Sequence, residues 1–206
     1  TFKGEDDDRA YPVKVISDSS FKSCSQLVTI NIPNSITNID IKAFQGCTLL
    51  ENINVYGADG INEFIYESED GVLFYNNQQT LAKDLWFYPM GRTDSMYVLP
   101  DGVVNIPTGG FYQSKFQEVV IPSSVAYIQI DAFYDTKSLN TVTFAENRPG
   151  TVVRALDIRP GAFERAVNLN SVVLPSRYDN FNRMIFYKNS KLTSVSVNPG
   201  GKYGSS

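Results

Sequence analysis

Residues 25–55 read SQLVTINIPNSITNIDIKAFQGCTLLENINV, and this stretch contains one complete repeat and the start of the next. Its apolar residues recur at a fixed distance: Leu27 is matched by Leu50, Ile30 by Ile53 and Ile32 by Val55, each 23 residues later. A fixed period in the twenties is typical of a solenoid, in which every coil covers the hydrophobic face of its neighbour. The stretch therefore predicts a stack of coils of this length.

The spacing inside the repeat predicts the path of one coil. Leu27, Ile30 and Ile32 suit a short strand, because side chains alternate between the two faces of a strand and Ile30 and Ile32 share one face. Pro33 ends the strand, since proline has no N–H to donate. Phe44 follows as a large plug that the next coil must cover, and we expect Ala43 and Phe44 to form a single helical turn on the side opposite the strand.

The same register recurs along most of the chain. Five phenylalanines have an isoleucine five residues earlier: Phe21 with Ile16, Phe44 with Ile39, Phe111 with Ile106, Phe133 with Ile128 and Phe163 with Ile158. Seven strands are predicted to end at Ile32, Val55, Leu99, Ile121, Phe144, Leu174 and Val197. We expect these seven strands to form one parallel sheet and the rings of Phe21, Phe44, Phe133 and Phe163 to form one buried column.

Two of the gaps between successive strand ends are longer than a repeat. The gap of 44 residues after Val55 predicts an inserted β-hairpin at about 57–96, with strands at 71–75 and 80–88. This insertion carries Trp86 and Tyr88, which either cover the coil beneath them or form an aromatic contact surface. The gap of 30 residues before Leu174 predicts a protruding loop at about 145–155.

Composition agrees with a folded soluble domain. The chain has 206 residues, of which 42% are hydrophobic and 19% charged. We expect a solenoid over residues 11–198, with flexible segments at 1–10 and 199–206. No apolar run reaches the ~20 residues of a membrane span, so membrane insertion is not expected. No secretory signal is visible, and we expect the sequence to represent a mature or shortened chain.

The charge is unevenly distributed. Residues 1–144 carry a net charge of −9 and residues 145–206 a net charge of +5, which gives −4 overall. The basic end is interpreted either as an ordinary solvated surface or as a patch that includes Arg148, Arg154 and Arg159. The acidic overall balance, without a recognisable binding motif, argues against a nucleic-acid partner.

Cys24 and Cys47 lie 23 residues apart, so stacked coils would bring them next to each other. We expect both to be reduced and buried, although a disulfide between neighbouring coils is the alternative. With no histidine in the chain, two cysteines are too few ligands for a metal site, and no cofactor is expected.

The repeat resembles the BspA-type leucine-rich repeats of bacterial surface proteins. The pattern L-x-x-I-x-I-P-x-S-V-x-x-I-x-x-x-A-F-x-x-C is matched almost position by position by residues 25–50, and residues 63–103 resemble the hairpin segment common in the same family. The resemblance covers roughly residues 11–198, with departures at Gly109-Gly110 and at 178–188. It implies an α+β leucine-rich-repeat right-handed solenoid with a parallel β-sheet face, short helical turns and one inserted hairpin.

The same resemblance implies an exported protein, surface-attached or secreted, from a host-associated bacterium such as a relative of Bacteroides. It implies adhesion to host or partner proteins, and it supplies no shared catalytic residues. The partner is accordingly expected to be a host extracellular protein or glycan, bound by a monomer.

Candidate contact residues follow from strand alternation, because the positions between buried ones point outward. They are Thr29, Asn31, Asn52, Asn54, Thr141 and Thr143 on the strands, together with Trp86 and Tyr88 in the insertion. These strand residues either only hydrogen-bond between coils or form a recognition surface.

An enzyme is the least favoured interpretation. The absence of histidine removes the usual acid–base and triad chemistry. Glu67, Glu69 and Asp70 could imitate the carboxylate pair of a glycosidase in a polysaccharide-cleaving β-helix. A structural spacer that holds other domains away from the cell is a third possibility and predicts no ligand.

Overall fold

The computed structural model describes residues 12–57, 65–146, 154–178 and 180–199. These residues form a β-solenoid of about seven turns, with parallel strands on two sides and no helices in the described ranges. Residues 1–10, residues 200–206 of the expected C-terminal segment and residues 147–153 of the expected loop lie outside the described residues.

The described residues contain fifteen strands: β1 (Val15–Ile16), β2 (Thr29–Pro33), β3 (Asn38–Ile39), β4 (Asn52–Tyr56), β5 (Tyr66–Glu69), β6 (Val72–Asn77), β7 (Ala82–Phe87), β8 (Met96–Val98), β9 (Val103–Ile106), β10 (Glu118–Ile121), β11 (Tyr127–Ile128), β12 (Thr141–Phe144), β13 (Asp157–Ile158), β14 (Ser171–Leu174) and β15 (Ser194–Val197).

The first side of the solenoid, called the front face below, is built from β2, β4, β8, β10, β12, β14 and β15. Each predicted strand end falls within one residue of the observed end. The expectation of one continuous sheet is wrong, because hydrogen bonds join these strands as β2–β4, β8–β10–β12 and β14–β15. The first break coincides with the insertion, and the second coincides with the longer connection between β12 and β14.

A second set of strands, called the back face below, forms a second side of the solenoid, and the predicted helical turns are absent from the described residues. The isoleucines of the Ile–Phe register lie in β1, β3, β9, β11 and β13, which pair in parallel with their neighbours except where the insertion intervenes. The Phe-containing segments are turns. The phenylalanine N–H bonds to the next coil, as in Phe21 N–H to Ala43 O at 2.9 Å and Phe133 N–H to Ala162 O at 2.7 Å, whereas an alanine N–H such as that of Ala132 bonds within its own turn. Bonding between coils therefore satisfies the groups that a helix would have paired internally.

The insertion enters the core. The predicted hairpin is confirmed as antiparallel β6–β7, but β5 adds a third strand and β7 pairs in parallel with β9. Val72 and Phe74 pack in the larger of two hydrophobic clusters, whereas Leu73 between them packs in the smaller one. β6 thus forms a wall between the first two coils and the remainder, and the insertion is part of the hydrophobic core.

The tight turn between β5 and β6 reaches the front face. Asp70 and Gly71 both have positive φ, 49° and 75°, which suits the two-residue turn of a hairpin. The carbonyl of Gly71 accepts a hydrogen bond from Ile53 N–H of β4 at 2.9 Å. This contact occupies the edge of β4 that would otherwise face β8, and it explains the first break in the front face.

The phenylalanine plugs form two columns and not one. Phe21 stacks on Phe44 at 5.7 Å between ring centroids, and Phe44 contacts Phe87 of the insertion at 5.6 Å. The second column begins at Phe111 and runs through Phe133 and Phe163 to Phe186, with centroid distances of 4.8, 4.7 and 5.6 Å. The wall formed by β6 separates the columns because it separates the two clusters.

The cysteines differ in environment. Cys47 is buried and its thiol donates to the carbonyl of Phe21 at 3.0 Å, whereas Cys24 is exposed, contrary to the expectation of two buried thiols. Burial raises the pKa of the Cys47 thiol, with a backbone hydrogen bond from Cys24 opposing it. The two residues are therefore neighbours, as the 23-residue spacing predicts.

Candidate binding surface

The front face presents two columns of outward-pointing side chains. Thr29 lies opposite Asn52 and Asn31 opposite Asn54 in the register of β2 and β4. Asn54 donates from its side-chain nitrogen to the Asn31 oxygen at 3.0 Å, so adjacent coils are joined by a side-chain ladder. Asn52 is half-buried, and the other three side chains are exposed.

The same columns continue after the insertion. The pairing of β10 with β12 places Glu118 opposite Thr141 and Val120 opposite Thr143, and both threonines are exposed. Glu118 is the charged member among the exposed side chains of β10 and β12. The face is consequently nearly neutral, as the sequence predicts.

Met96 and Val98 were absent from the candidate residues but belong to this surface. They lie on β8 opposite Glu118 and Val120, and they are 52% and 54% exposed. Strand alternation backwards from Leu99 would have identified both. They form an apolar strip on this face, which also exposes Val173 of β14.

A groove of about 310 Å³ lies beside this strip, at the break between β4 and β8. Arg92 crosses it, with ion pairs to Asp70 at 2.9 Å and to Asp94 at 2.7 Å. Burial raises the pKa of the Asp94 carboxyl, but hydrogen bonds from Arg92 and Tyr88 outweigh it and hold the pKa below its usual value. One guanidinium thus pairs with two carboxylates, so the groove keeps a negative balance of charge.

Tyr88 is not on the surface. Its side chain is fully buried, its ring contacts Phe111 and Phe116, and its hydroxyl donates to Asp94. Burial, followed by the hydrogen bond to Asp94, raises the pKa of this hydroxyl. Tyr88 is a core residue because it follows β7 directly and its N–H donates a hydrogen bond to Gly110 O in the turn of the next coil.

Trp86 lies on the back face, away from the strand columns. It is half-buried between Tyr66 and Tyr75, at centroid distances of 5.7 and 5.3 Å, and its indole N–H donates to the carbonyl of Ile39 at 3.1 Å. The ring thus covers the coil beneath it, which was one of the two interpretations. We therefore leave Trp86 and Tyr88 out of the contact surface.

The arginines of the basic end differ in their surroundings. Arg154 is exposed, and Arg159 is exposed but pairs with Asp157 at 3.0 Å. Arg177 is buried, and one of its terminal nitrogens donates to the carbonyls of Val125 and Arg154. Arg148 lies outside the described residues.

The carboxylates considered for an enzyme are engaged in ion pairs. Lys83 bonds Glu67 at 2.8 Å and Glu69 at 2.9 Å, and Asp70 is held by Arg92. Burial raises the pKa of Glu67, but hydrogen bonds from Lys83 and Asn76 outweigh it and lower the pKa overall. Glu67 is therefore not poised as a general acid.

Among the described residues, no group of three or more acidic or cysteine side chains is placed to hold a metal ion. The same part of the chain contains no helix long and apolar enough to cross a membrane.

Comparison with known proteins agrees with this architecture. The family model of the BspA type leucine rich repeat region matches in six copies over residues 10–79 and 104–204. The chain belongs to the BspA-type leucine-rich repeat family. The unmatched interval between the two ranges includes all of β7 and β8, where the insertion rejoins the BspA-type coils.

Solved structures of other bacterial leucine-rich repeat proteins share the fold. A leucine-rich cell surface protein of Faecalibacterium prausnitzii is 21% identical with a TM-score of 0.63, over 92% of this chain and 58% of its own. The pneumococcal vaccine antigen PcpA is 17% identical with a TM-score of 0.53, over 83% of this chain and 45% of its own. A leucine-rich repeat protein of Bacteroides ovatus is 20% identical with a TM-score of 0.53, over 90% and 41% of the two chains. No curated protein matches the chain. The BspA-type chain thus spans little more than half, or less, of the length of these three relatives.

Proposed function

We propose that this BspA-type domain is a non-catalytic recognition module of an exported bacterial protein, and that its front face binds a host extracellular protein or glycan. The observation that carries the proposal is the exposed front face, where the neutral side chains of Thr141 and Thr143 lie across β10 from the apolar strip of Met96 and Val98. Neutral hydrogen-bonding groups cost less to desolvate than charges, and apolar side chains supply the favourable burial.

Surface display is part of the same proposal. The F. prausnitzii relative is a cell surface protein by its description, and the pneumococcal relative is a vaccine antigen. A solenoid suits such a role because its coils each contribute a few side chains to one extended surface. We propose that the domain acts there as a monomer, which light scattering of the purified chain tests directly.

The test is a binding screen of the purified domain against extracellular-matrix proteins and host glycans, repeated with surface variants. Thr143→Arg and Asn54→Arg place a large charge on the front face and should each weaken binding at least about tenfold, since a buried unpaired charge is costly. Tyr127→Arg is the matched control, because Tyr127 is exposed on the back face. If Tyr127→Arg abolishes binding while both front-face variants bind normally, the front face is not the site.

Salt dependence distinguishes this surface from the basic end. A neutral surface should lose little affinity between low and high salt, whereas a site built on Arg154 and Arg159 for acidic glycans should lose most of it. Arg154→Ala and Arg159→Ala are the corresponding variants. Binding that disappears in high salt and in these two variants would assign recognition to the basic end.

Experiments on the same purified domain also test the spacer and enzyme interpretations. A spacer predicts that no ligand binds any face. Turnover of glycoside, peptide or ester substrates that is lost in Glu67→Gln or Asp70→Asn would overturn the non-catalytic assignment.

A further inference from the structure

A slot opens in the solenoid on the side where the Ala-Phe turns stack. Its volume is about 210 Å³, and Phe87 and Met90 of the inserted coil lie in it, buried. Ile41 of the second coil and Tyr112 of the coil after the insertion also line it. The slot lies on neither the front nor the back face, so it is separate from the surface proposed above.

The insertion creates the slot. In the second coil, Phe44 lies within a turn at 41–46. In the inserted coil, the corresponding Phe87 is the last residue of strand β7, with no turn before it. In other coils the backbone N–H of the phenylalanine donates a hydrogen bond to the turn of the next coil, as Phe111 N–H does to Ala132 O. Within the described ranges, the N–H of Phe44 makes no such bond. Coils stack about 4.8 Å apart, so one missing turn leaves room for one flat group.

The wall of the slot is an aromatic stack. Tyr112 and Tyr134 occupy equivalent positions in successive coils, with ring planes 2° apart and centroids 5.8 Å apart. The equivalent residue of the second coil is Gln45, which also lines the slot. A planar side chain placed between Gln45 and Tyr112 would continue this stack.

The charge at the rim of the slot favours a positively charged group next to the planar side chain. Asp131 lines the slot, and burial followed by repulsion from Glu164 raises the pKa of its carboxyl. A cation beside Asp131 would relieve this repulsion. Lys42 is exposed on the opposite wall of the slot. An acidic group of a ligand would bind beside Lys42 and not beside Asp131.

We propose that the slot binds one aromatic side chain of a partner polypeptide, with a neighbouring Lys or Arg of that partner beside Asp131. The buried floor of Phe87 and Met90 offers no hydrogen bonds, so an aromatic ring suits it better than a sugar, whose hydroxyls would be left unpaired there. Met90 can adjust to the shape of a ring because its side chain is unbranched.

The test uses blocked dipeptides and amide NMR spectra of the whole chain. Acetyl-Lys-Tyr-amide at about 10 mM should shift resonances of Gly109, Met90 and Tyr112, since a single side chain is expected to bind in the millimolar range. Acetyl-Glu-Tyr-amide should bind roughly two- to fivefold more weakly, and acetyl-Lys-Ala-amide should produce no shifts there.

Variants separate recognition from folding. Tyr112→Ala should weaken acetyl-Lys-Tyr-amide about tenfold, while Tyr112→Phe should bind like wild type. Tyr187→Ala is the matched control, because Tyr187 holds the same repeat position in the last turn and is exposed away from the slot. Asp131→Asn should weaken binding roughly two- to fivefold, and Lys42→Gln should not weaken it. Each variant is first checked for an unchanged thermal midpoint.

Two results would overturn the proposal. One is a set of shifts produced by methyl glucoside while the dipeptides produce none, which would assign the slot to a sugar. The other is the absence of shifts with every probe. Neither result bears on the front face, whose variants are tested separately.

Discussion

The indole N–H of Trp86 donates to the carbonyl of Ile39 at 3.1 Å, across the point where the back face is interrupted. The N–H of the same Ile39 donates to the hydroxyl of Tyr66 at 3.0 Å. Two side chains of the insertion therefore pair the backbone groups that the strand of a regular coil would have paired. The only tryptophan of the chain joins the two parts of the solenoid.

Trp86→Phe should destabilise the fold without affecting the front face. The ring contacts with Tyr66 and Tyr75 are largely kept, but the carbonyl of Ile39 loses its donor, which costs about 1–3 kcal/mol when a buried group is left unpaired. Urea unfolding followed by circular dichroism measures the loss. A variant as stable as wild type but defective in ligand binding would instead make Trp86 a contact residue.

Phe44→Ala should reduce the free energy of unfolding by about 3–5 kcal/mol, as for other large buried aromatic side chains. Phe44 is 1% exposed and contacts both Phe21 and Phe87. Phe21→Ala is the matched control and should cost less, because Phe21 ends its column and is only partly buried. A loss below about 1 kcal/mol for Phe44→Ala would contradict its burial.

Ionisation of the Asp84 carboxyl should lower the free energy of unfolding as the pH rises. Burial raises the pKa of its carboxyl to about 6, despite hydrogen bonds from Asn105, whereas the unfolded value is near 3.8. The folded chain therefore holds the proton more tightly, and stability contributed by this group is lost as the pH rises from about 4 to about 6.

Asp84→Asn should accordingly stabilise the protein at pH 7 and flatten this part of the pH profile. The gain should be well below the roughly 3 kcal/mol of the full shift, because the carboxyl is only partly buried and solvent screens it. Urea melts at several pH values provide the measurement. A variant less stable than wild type at pH 7 would show that the carboxylate is stabilised in the folded chain.

The two cysteines should differ in reactivity in the native protein. Cys24 is exposed and should react rapidly with a thiol reagent, whereas Cys47 is buried, with a raised pKa, and should react only on unfolding. Titration of the unfolded, unreduced chain should then find two thiols. Finding none would establish the disulfide alternative.

Much of the fold followed from the sequence. The repeat spacing predicted the ends of the front strands to within a residue, and the Ile–Phe register, exemplified by Ile128 and Phe133, marked buried positions in most coils. The same alternation predicted that Thr141 and Thr143 point outward. These features depend on spacing along the chain, which the order of residues fixes directly.

The tertiary structure decided the rest. Whether residues 38–44 form a helical turn or a back strand followed by a turn depends on the coil stacked against them, and a hydrophobic pattern at short range suits both. The sequence likewise marked 71–88 as a hairpin, but only packing determined that β6 would pass through the core, bury Tyr88 and leave a slot beside Tyr112. Residues far apart in the sequence compete for the same strand edges, and that competition is resolved only when all the coils are stacked together.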